Sequence, residues 1–498
     1  MYRRCFFLFH MVAVLLVFAV LPLAGCALGP DYRRPAMPLP EVWPENTALR
    51  GEGAEDWQDW WKRFDDSTLD KLVARAVQDN PDVRMQAARV REARARLGYS
   101  TADQFPTVGI QADAVRQQAS GQAAGLSQDR GPVGNLFSLA GVLSYEVDIW
   151  GRLAREREAS EALLQGSVYA HEAVRLAVIA EVVSTYFSLQ AARRELEVTR
   201  QALGILEEMY RLEAIRFKHG QVDELVLRQA ESELEATRAM LPLQHRQVRM
   251  LEGALGILTG LSPAGLMAEP DMGTRVLADI RDPGVMPLML PSELLFRRPD
   301  IRAVEEALRA ASARIGITQA ERLPKLNLAA LLGGTSVEAG DLFTSSARTW
   351  SLGVGAAGPL LDFGRNKARV ESAEAQFAQA EIDYTATVSQ AFNEVRDALV
   401  FYQSSREYMN TVDRQLAIAR RAEELADIRY RQGLVRFIEF LDAHRTRLAA
   451  EQNLNNAVRD VFSATATLFK ALGGGWTGEH DRAEMTPVDF HPESLTKR

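Results

Sequence analysis

The chain has 498 residues, 47% of them hydrophobic and 8% aromatic, with 58 Lys+Arg against 66 Asp+Glu and a net charge of -8. This acidic balance argues against a nucleic-acid partner, which requires a concentrated basic face, and the hydrophobic content is that of an ordinary folded chain. Length alone would allow about three domains.

Arg3 and Arg4 precede an apolar run from Cys5 to Leu21, which is followed by Leu23-Ala24-Gly25-Cys26. Charge, apolar core and small residues before a cysteine fall in the order of a bacterial lipoprotein leader. Cys26 is then the lipidation site and residues 1–25 are a signal peptide. The run also approaches the roughly 18-residue minimum for a membrane span, so an uncleaved anchor is the alternative reading. Cys5 lies in the leader, so the mature chain keeps one cysteine and depends on packing and assembly rather than on an intramolecular disulfide. Residues 26–66 carry Pro30, Pro35, Pro38, Pro40, Trp43, Pro44, Trp57, Trp60 and Trp61 without a helical or strand period. They read as a lipid-anchored extended arm.

From Ser67 a helical pattern runs through Leu69, Leu72, Val73, Ala76 and Val77, and resumes after Pro81 as far as Leu97. The period then changes to two. Val108, Ile110, Ala112 and Ala114 alternate with Thr107, Gly109, Gln111 and Asp113, and Phe137, Leu139, Leu143, Tyr145 and Val147 alternate with Ser138, Ser144, Glu146 and Asp148. These are strands at about 106–118 and 136–148, joined by the Gly/Gln/Ser-rich stretch 119–135. A second pair follows at about 324–334 (Leu326, Leu328, Ala330, Leu332) and 349–361 (Trp350, Leu352, Val354, Ala356). Strands of about ten residues are long enough to cross a bilayer at a tilt. Two soluble hairpins capping a helical bundle fit the periodicity equally well. Glycines on the polar faces, aromatics near strand ends (Phe105, Tyr145, Trp350, Phe363) and the leader favour the membrane reading.

After each hairpin comes a very long helix. Arg365 to Gln432 contains neither glycine nor proline, and Leu153 to His219 contains no proline and only Gly166 and Gly204. At 1.5 Å per residue each is about 100 Å long. Each ends at a glycine, Gly220 or Gly433, where a helix-ending turn needs a residue tolerant of positive φ, and a shorter helix returns over 222–258 or 434–472.

The central segment is stated twice. Asn80-Pro81-Asp82-Val83-Arg84 and Pro106 return as Arg298-Pro299-Asp300-Ile301-Arg302 and Pro324, a shift of 218; Trp150-Gly151-Arg152 and Gly220 return as Phe363-Gly364-Arg365 and Gly433, a shift of 213. A unit this long is two copies of one structural half rather than a short solenoid repeat. The organisation is therefore a first repeat over 67–261, a connection over 262–291, a second repeat over 292–473 and a tail over 474–498. Four strands cannot close a membrane barrel, so spanning strands require further copies of the chain; two, three or four copies satisfy that requirement.

Gly29-Pro30-Asp31-Tyr32-Arg33-Arg34-Pro35 after the lipobox, Trp60-Trp61-x-x-Phe64, Tyr145-Glu146-Val147-Asp148-Ile149-Trp150-Gly151-Arg152, and Arg429-Tyr430-x-x-Gly433 leading to Phe440-Leu441-Asp442-Ala443 resemble the TolC/OprM-type outer-membrane efflux channels of the NodT lipoprotein group. The resemblance covers almost the whole mature chain. It implies an α+β membrane protein built from a duplicated helix–β-hairpin–helix–helix unit, in which a trimeric, twelve-stranded outer-membrane β-barrel continues into a long periplasmic α-helical barrel. The implied function is passive, gated conduction of small molecules in a tripartite efflux system of RND type. The implied partners are two further copies, a periplasmic adaptor, an inner-membrane efflux pump and outer-membrane lipid, with no cofactor beyond the covalent lipid on Cys26. Ala27 after the lipid-bearing cysteine resembles lipoproteins sorted to the outer membrane.

In the family the periplasmic end closes at the helix tips; the matching positions are Glu439, Asp442 and Tyr430, and Arg436 is the candidate latch donor beside them. Glu439 and Asp442 are three apart and share a helix face, whereas the first repeat has Val226 and Gln229 at those places. Val435 occupies the position of the family's gate arginine, with Arg436 one place later. The seven histidines have no zinc-ligand spacing, and Asp362-Phe363-Gly364 lacks the phosphate loop of a kinase and reads as a strand-to-helix corner. No enzyme is indicated. A lipid-anchored periplasmic scaffold or adaptor is the rival reading, but adaptors carry one helical hairpin within β-rich domains, and two duplicated units do not match that plan.

Overall fold

The computed structural model describes residues 27–40, 43, 58–118, 133–268, 280 and 293–476. The leader with Cys26, residues 41–42 and 44–57 of the arm, the hairpin loop 119–132, most of the connection 262–291 and the tail after Trp476 lie outside the described residues. Among the described residues, no helix is long and apolar enough to cross a membrane.

In chain order the helices are α1 (Ser67–Asp79), α2 (Pro81–Ala102), α3 (Arg152–Lys218), α4 (Glu224–Leu258), α5 (Pro263–Met267), α6 (Leu294–Arg297), α7 (Pro299–Ala320), α8 (Arg365–Arg431) and α9 (Phe437–Ala471). The strands are β1 (Thr107–Gln118), β2 (Val133–Val147), β3 (Lys325–Ser336) and β4 (Arg348–Ala357). β2 begins three residues earlier than its period suggests, and β4 stops four residues short, since Pro359 cannot donate to a strand ladder. α2 runs to Ala102, beyond the helical pattern that extends as far as Leu97, and its counterpart α7 runs to Ala320. The Trp-rich arm is not wholly extended: Trp60–Phe64 forms a short 3₁₀ turn whose Trp60, Trp61 and Phe64 are buried. Ring contacts explain the departure, with Trp60 stacked on Phe469 at 4.9 Å and Phe64 edge-on to Phe187 at 4.7 Å.

The chain divides into two compact units, and each draws on both repeats. One contains the hairpins, from Met1–Ala36, Arg89–Ser167 and Ala303–Thr385; the other, from Met37–Ala88, Val168–Arg302 and Ala386–Arg498, contains the helix tips.

The hairpin unit is a four-stranded antiparallel sheet in the order β1-β2-β3-β4. Its register keeps the alternating faces together: Ala114 lies opposite Phe137 and Ala112 opposite Leu139, Tyr145 lies opposite Leu328, and Ala330 lies opposite Leu352. One face is therefore an apolar stripe and the other carries Asp113, Ser138, Asn327 and Ser351. The arm is pinned to this unit by ions: Arg34 makes a paired hydrogen bond to Glu305 at 2.7 and 2.8 Å, and Arg155 donates to Asp31 at 2.9 Å.

In the second unit the duplication repeats at the level of single contacts. The Asn80 side chain caps α2 through the Asp82 and Val83 amides, and its Nδ2 donates to Leu258 O at 2.9 Å. Its counterpart Arg298 donates to Ala471 O at 3.1 Å, the equivalent carbonyl. Gly260 and Gly473, at φ +70° and +72°, sit against Asp79 O and Arg297 O, where a Cβ would fall 2.5 and 2.7 Å from the oxygen. Both corners require glycine for closeness as well as for conformation.

Candidate functional site at the helical hairpin turns

Both long helices end in the same way. Gly220 (φ +69°) and Gly433 (φ +74°) take the left-handed conformation. Gly433 N donates to Tyr430 O at 3.0 Å and Leu434 N to Arg429 O at 2.9 Å, and Gly220 and Gln221 repeat both bonds at 2.9 Å. This Schellman pattern satisfies the last carbonyls and reverses the chain. The starts of the returning helices differ. Asp223 caps α4 by accepting from the Val226 amide at 3.2 Å, whereas Arg436 holds the equivalent place before α9 and its side chain makes no cap.

Beneath the turns, α3, α4, α8 and α9 bury a common cluster of Leu206, Met209, Ala230, Leu234, Tyr430, Phe437, Phe440 and Leu441. The Tyr430 ring stacks on Phe440 at 5.7 Å. Its hydroxyl donates to Glu213 and accepts from Arg216 at 2.7 Å, and the Arg216 guanidinium lies 5.0 Å from the ring centre. Glu213 is fully buried, and its second carboxylate oxygen has no hydrogen-bond partner among the described residues. Burial, and then Glu213, push the Tyr430 hydroxyl well above the usual tyrosine range, so it remains a donor.

Glu439 and Asp442 lie on the exposed side of α9, opposite the buried Phe437, Phe440, Leu441 and His444. Arg436 is 82% exposed and donates to Glu439 at 3.2 Å, so one carboxylate of the pair is partly offset by a neighbouring cation. One helical turn deeper, the buried His444 Nδ1 lies 2.6 Å from Glu423, and the ring stacks on Phe440 at 6.0 Å. Arg447 Nε lies 2.8 Å from the other Glu423 oxygen, without the alignment of a hydrogen bond. Burial raises the Glu423 carboxyl, but the His444 bond and the Arg447 charge outweigh it and hold the group below the usual glutamate range.

A duplicated helical body, a hairpin sheet and two glycine-ended tips are thus parts of one chain. The family model for outer membrane efflux proteins matches residues 72–261 and 290–474, one segment for each repeat. The chain belongs to the outer membrane efflux protein family. It is 31% identical to the cation efflux system protein CusC of Escherichia coli O6:H1 over 93% of this chain and 98% of CusC. It is 30% identical to the probable outer membrane lipoprotein SilC of Salmonella typhimurium over 91% of this chain and 96% of SilC. The solved CmeC outer membrane channel of Campylobacter jejuni superposes with a TM-score of 0.86 at 27% identity, covering 92% of this chain and 96% of CmeC. This efflux protein is accordingly an outer-membrane channel.

The efflux-protein fold gathers Tyr430, Arg436, Glu439 and Asp442 with both glycine turns at the tips. Cys26 lies outside the described residues. Sequence reasoning missed Glu213 and Arg216, which hold the Tyr430 hydroxyl, and passed over His444 as a scattered histidine. The one available signal was asymmetry: Glu213 has Ala426 as its counterpart, and Tyr430 has Phe217.

Proposed function

We propose that the protein works as a homotrimer, in which three four-stranded sheets close one twelve-stranded barrel and the long helices form the tunnel that continues from it. The observation that carries this reading is the open sheet. Among the described residues β1 and β4 are both unpaired edges, and an edge in lipid leaves backbone N–H and C=O groups unsatisfied at several kcal/mol each. Copies of the same chain are the simplest completion. Cys26 carries the lipid anchor, a periplasmic adaptor and an inner-membrane pump deliver the cargo, and conduction is passive, with no catalytic step and no cofactor.

The gate is assigned to the tips. Threefold repetition turns Glu439 and Asp442 into rings of carboxylates, which favour cations most where the pore is narrow. Tyr430 fixes the second-repeat turn through Glu213 and Arg216, and Arg436 tempers the Glu439 charge. Choice of cargo is assigned to the pump rather than to a selective site in this chain.

Planar-bilayer recording of the purified protein tests the gate. The native channel is expected to pass small, cation-selective currents, and Glu439→Ala with Asp442→Ala to raise low-salt conductance and lower cation selectivity. Unchanged conductance and selectivity in the double variant would remove these carboxylates from the gate, and absence of any current would remove the channel reading.

A further inference from the structure

The two hairpins are related by the repeat down to the individual strand pair. Moving β1 forward by 218 and β2 forward by 213 turns Thr107↔Ser144 into Lys325↔Ala357 and Ala112↔Leu139 into Ala330↔Leu352, and both products are pairs in the β3–β4 ladder. The two shifts, read independently from Pro106/Pro324 and from Gly151/Gly364, therefore describe the strands as well as the corners.

The same structure contains a seam between one repeat and the next, the β2–β3 ladder. There Phe137 pairs with Ser336, Leu139 with Gly334, Gly141 with Leu332 and Leu143 with Ala330. At the end of this seam Trp150 Nε1 donates to Pro324 O at 2.8 Å. The second repeat ends in the same way, with β4 and the corner at Phe363-Gly364, but has no third repeat to meet.

We infer that β4 pairs antiparallel with β1 of the next copy in the register of the internal seam, with Trp350 opposite Gln118, Leu352 opposite Arg116, Val354 opposite Ala114 and Ala356 opposite Ala112 of that copy. These pairs follow when each β2 residue is carried forward by 213 and its β3 partner back by 218. The inference rests on the homotrimer proposed above and adds the residue pairs that hold it closed.

Two further observations agree. A one-residue slip in a strand exchanges its faces. The apolar face of the sheet uses even-numbered residues in both β1 (Val108, Ile110, Ala112, Ala114) and β4 (Trp350, Leu352, Val354, Ala356), and the inferred pairs join even to even, so Val354 with Ala114 and Ala356 with Ala112 carry the stripe across the junction, while Leu352 and Trp350 meet the polar Arg116 and Gln118 at its far end. The edges themselves are bare: every residue of β1 is exposed, and past β4 the side chains of Leu360, Leu361 and Phe363 are exposed too. In the inferred register Leu360 meets Val108 of the next copy, and Phe363 lies over its Pro106 as Trp150 lies over Pro324. Phe363 lacks the indole donor, so this end contact is apolar where the internal one is hydrogen-bonded. The ion pair of Glu146 with Lys325 across the internal seam becomes Pro359 beside Thr107, so the junction between copies lacks that ion pair.

Disulfide trapping tests the register, since a bridge needs Cβ atoms about 4 Å apart and diagonal neighbours are about 7–8 Å apart. The native cysteines, Cys5 and Cys26, lie in the leader and at the lipid site, so an introduced pair has no competitor in the barrel. Leu352→Cys with Arg116→Cys is expected to give covalent dimers and trimers on mild oxidation, about tenfold more than Leu352→Cys with either Ala114→Cys or Gln118→Cys, which are offset by two residues. The mass of each variant in detergent is measured alongside, and Val354→Cys with Ala114→Cys is an independent matched pair. Trimers that cross-link best in an offset pair overturn the register alone. Trimers that cross-link in no pair overturn the β4–β1 junction. A native protein that is monomeric removes the homotrimer reading and this inference with it.

Discussion

Tyr430 marks where the two repeats stop being equivalent. Phe217 fills the same place in the first repeat, so only one of the two tips has a hydroxyl at this position to bind Glu213 and Arg216. Replacing Tyr430 with Phe keeps the stack on Phe440 but removes one of the two donors to the buried Glu213 and leaves only Arg216, at 3.1 Å, at a cost of about 1–3 kcal/mol. The expected outcome is a channel that opens more often at unchanged open-state conductance, with the tips cut faster by protease; unchanged gating and proteolysis would make the hydroxyl incidental. Glu423 offers a second test at this scale. Its carboxyl is depressed in the folded protein, so its stabilisation is fully present above the unfolded glutamate value of about 4.3 and is lost as pH falls through the lower folded value. The apparent melting temperature of the native protein should therefore fall more steeply between neutral pH and about pH 3 than that of Glu423→Gln; parallel profiles would show that the His444–Glu423–Arg447 group contributes nothing there. Glu439 and Asp442 are legible in the sequence because they lie three apart on one helix. Glu213 and Tyr430 are not, being brought together over a separation of 217 residues.

The elements show how far local rules reach. Long helices free of proline, a switch to period two and a glycine at each reversal are local signals, and they place α3, α8 and the four strands to within a few residues. They do not separate one glycine from another. Gly433 has nothing within 4 Å of a would-be Cβ, whereas Gly473 has Arg297 O at 2.7 Å. Gly433→Ala should therefore cost only the left-handed backbone, about 1–2 kcal/mol, and Gly473→Ala distinctly more, because the corner must also move. Apparent melting temperatures of the two variants in detergent would rank them, and an equal loss would show that packing at the Gly473 corner is slack. The Trp60–Phe64 turn was illegible for a related reason: its shape is set by Phe187, Phe462 and Phe469, residues far along the chain, and not by a period of its own.

For the whole molecule, the sequence by itself determined the duplication, the alternating strand faces, the shortage of strands for a closed barrel and the motifs that identify the family. Each of these is a pattern of spacing or a count, and such patterns need no third dimension. Only the tertiary structure decided that the sheet is ordered β1-β2-β3-β4 with both ends open, that the compact units cut across the repeats, and that Tyr430 belongs to a buried polar group joining the two tips. The physical reason is the same in all three cases. Strand neighbours, unit boundaries and buried hydrogen-bond partners are fixed by which distant surfaces exclude water together, and residues related by a shift of 213 or 218 carry no mark in the sequence of which of them will meet.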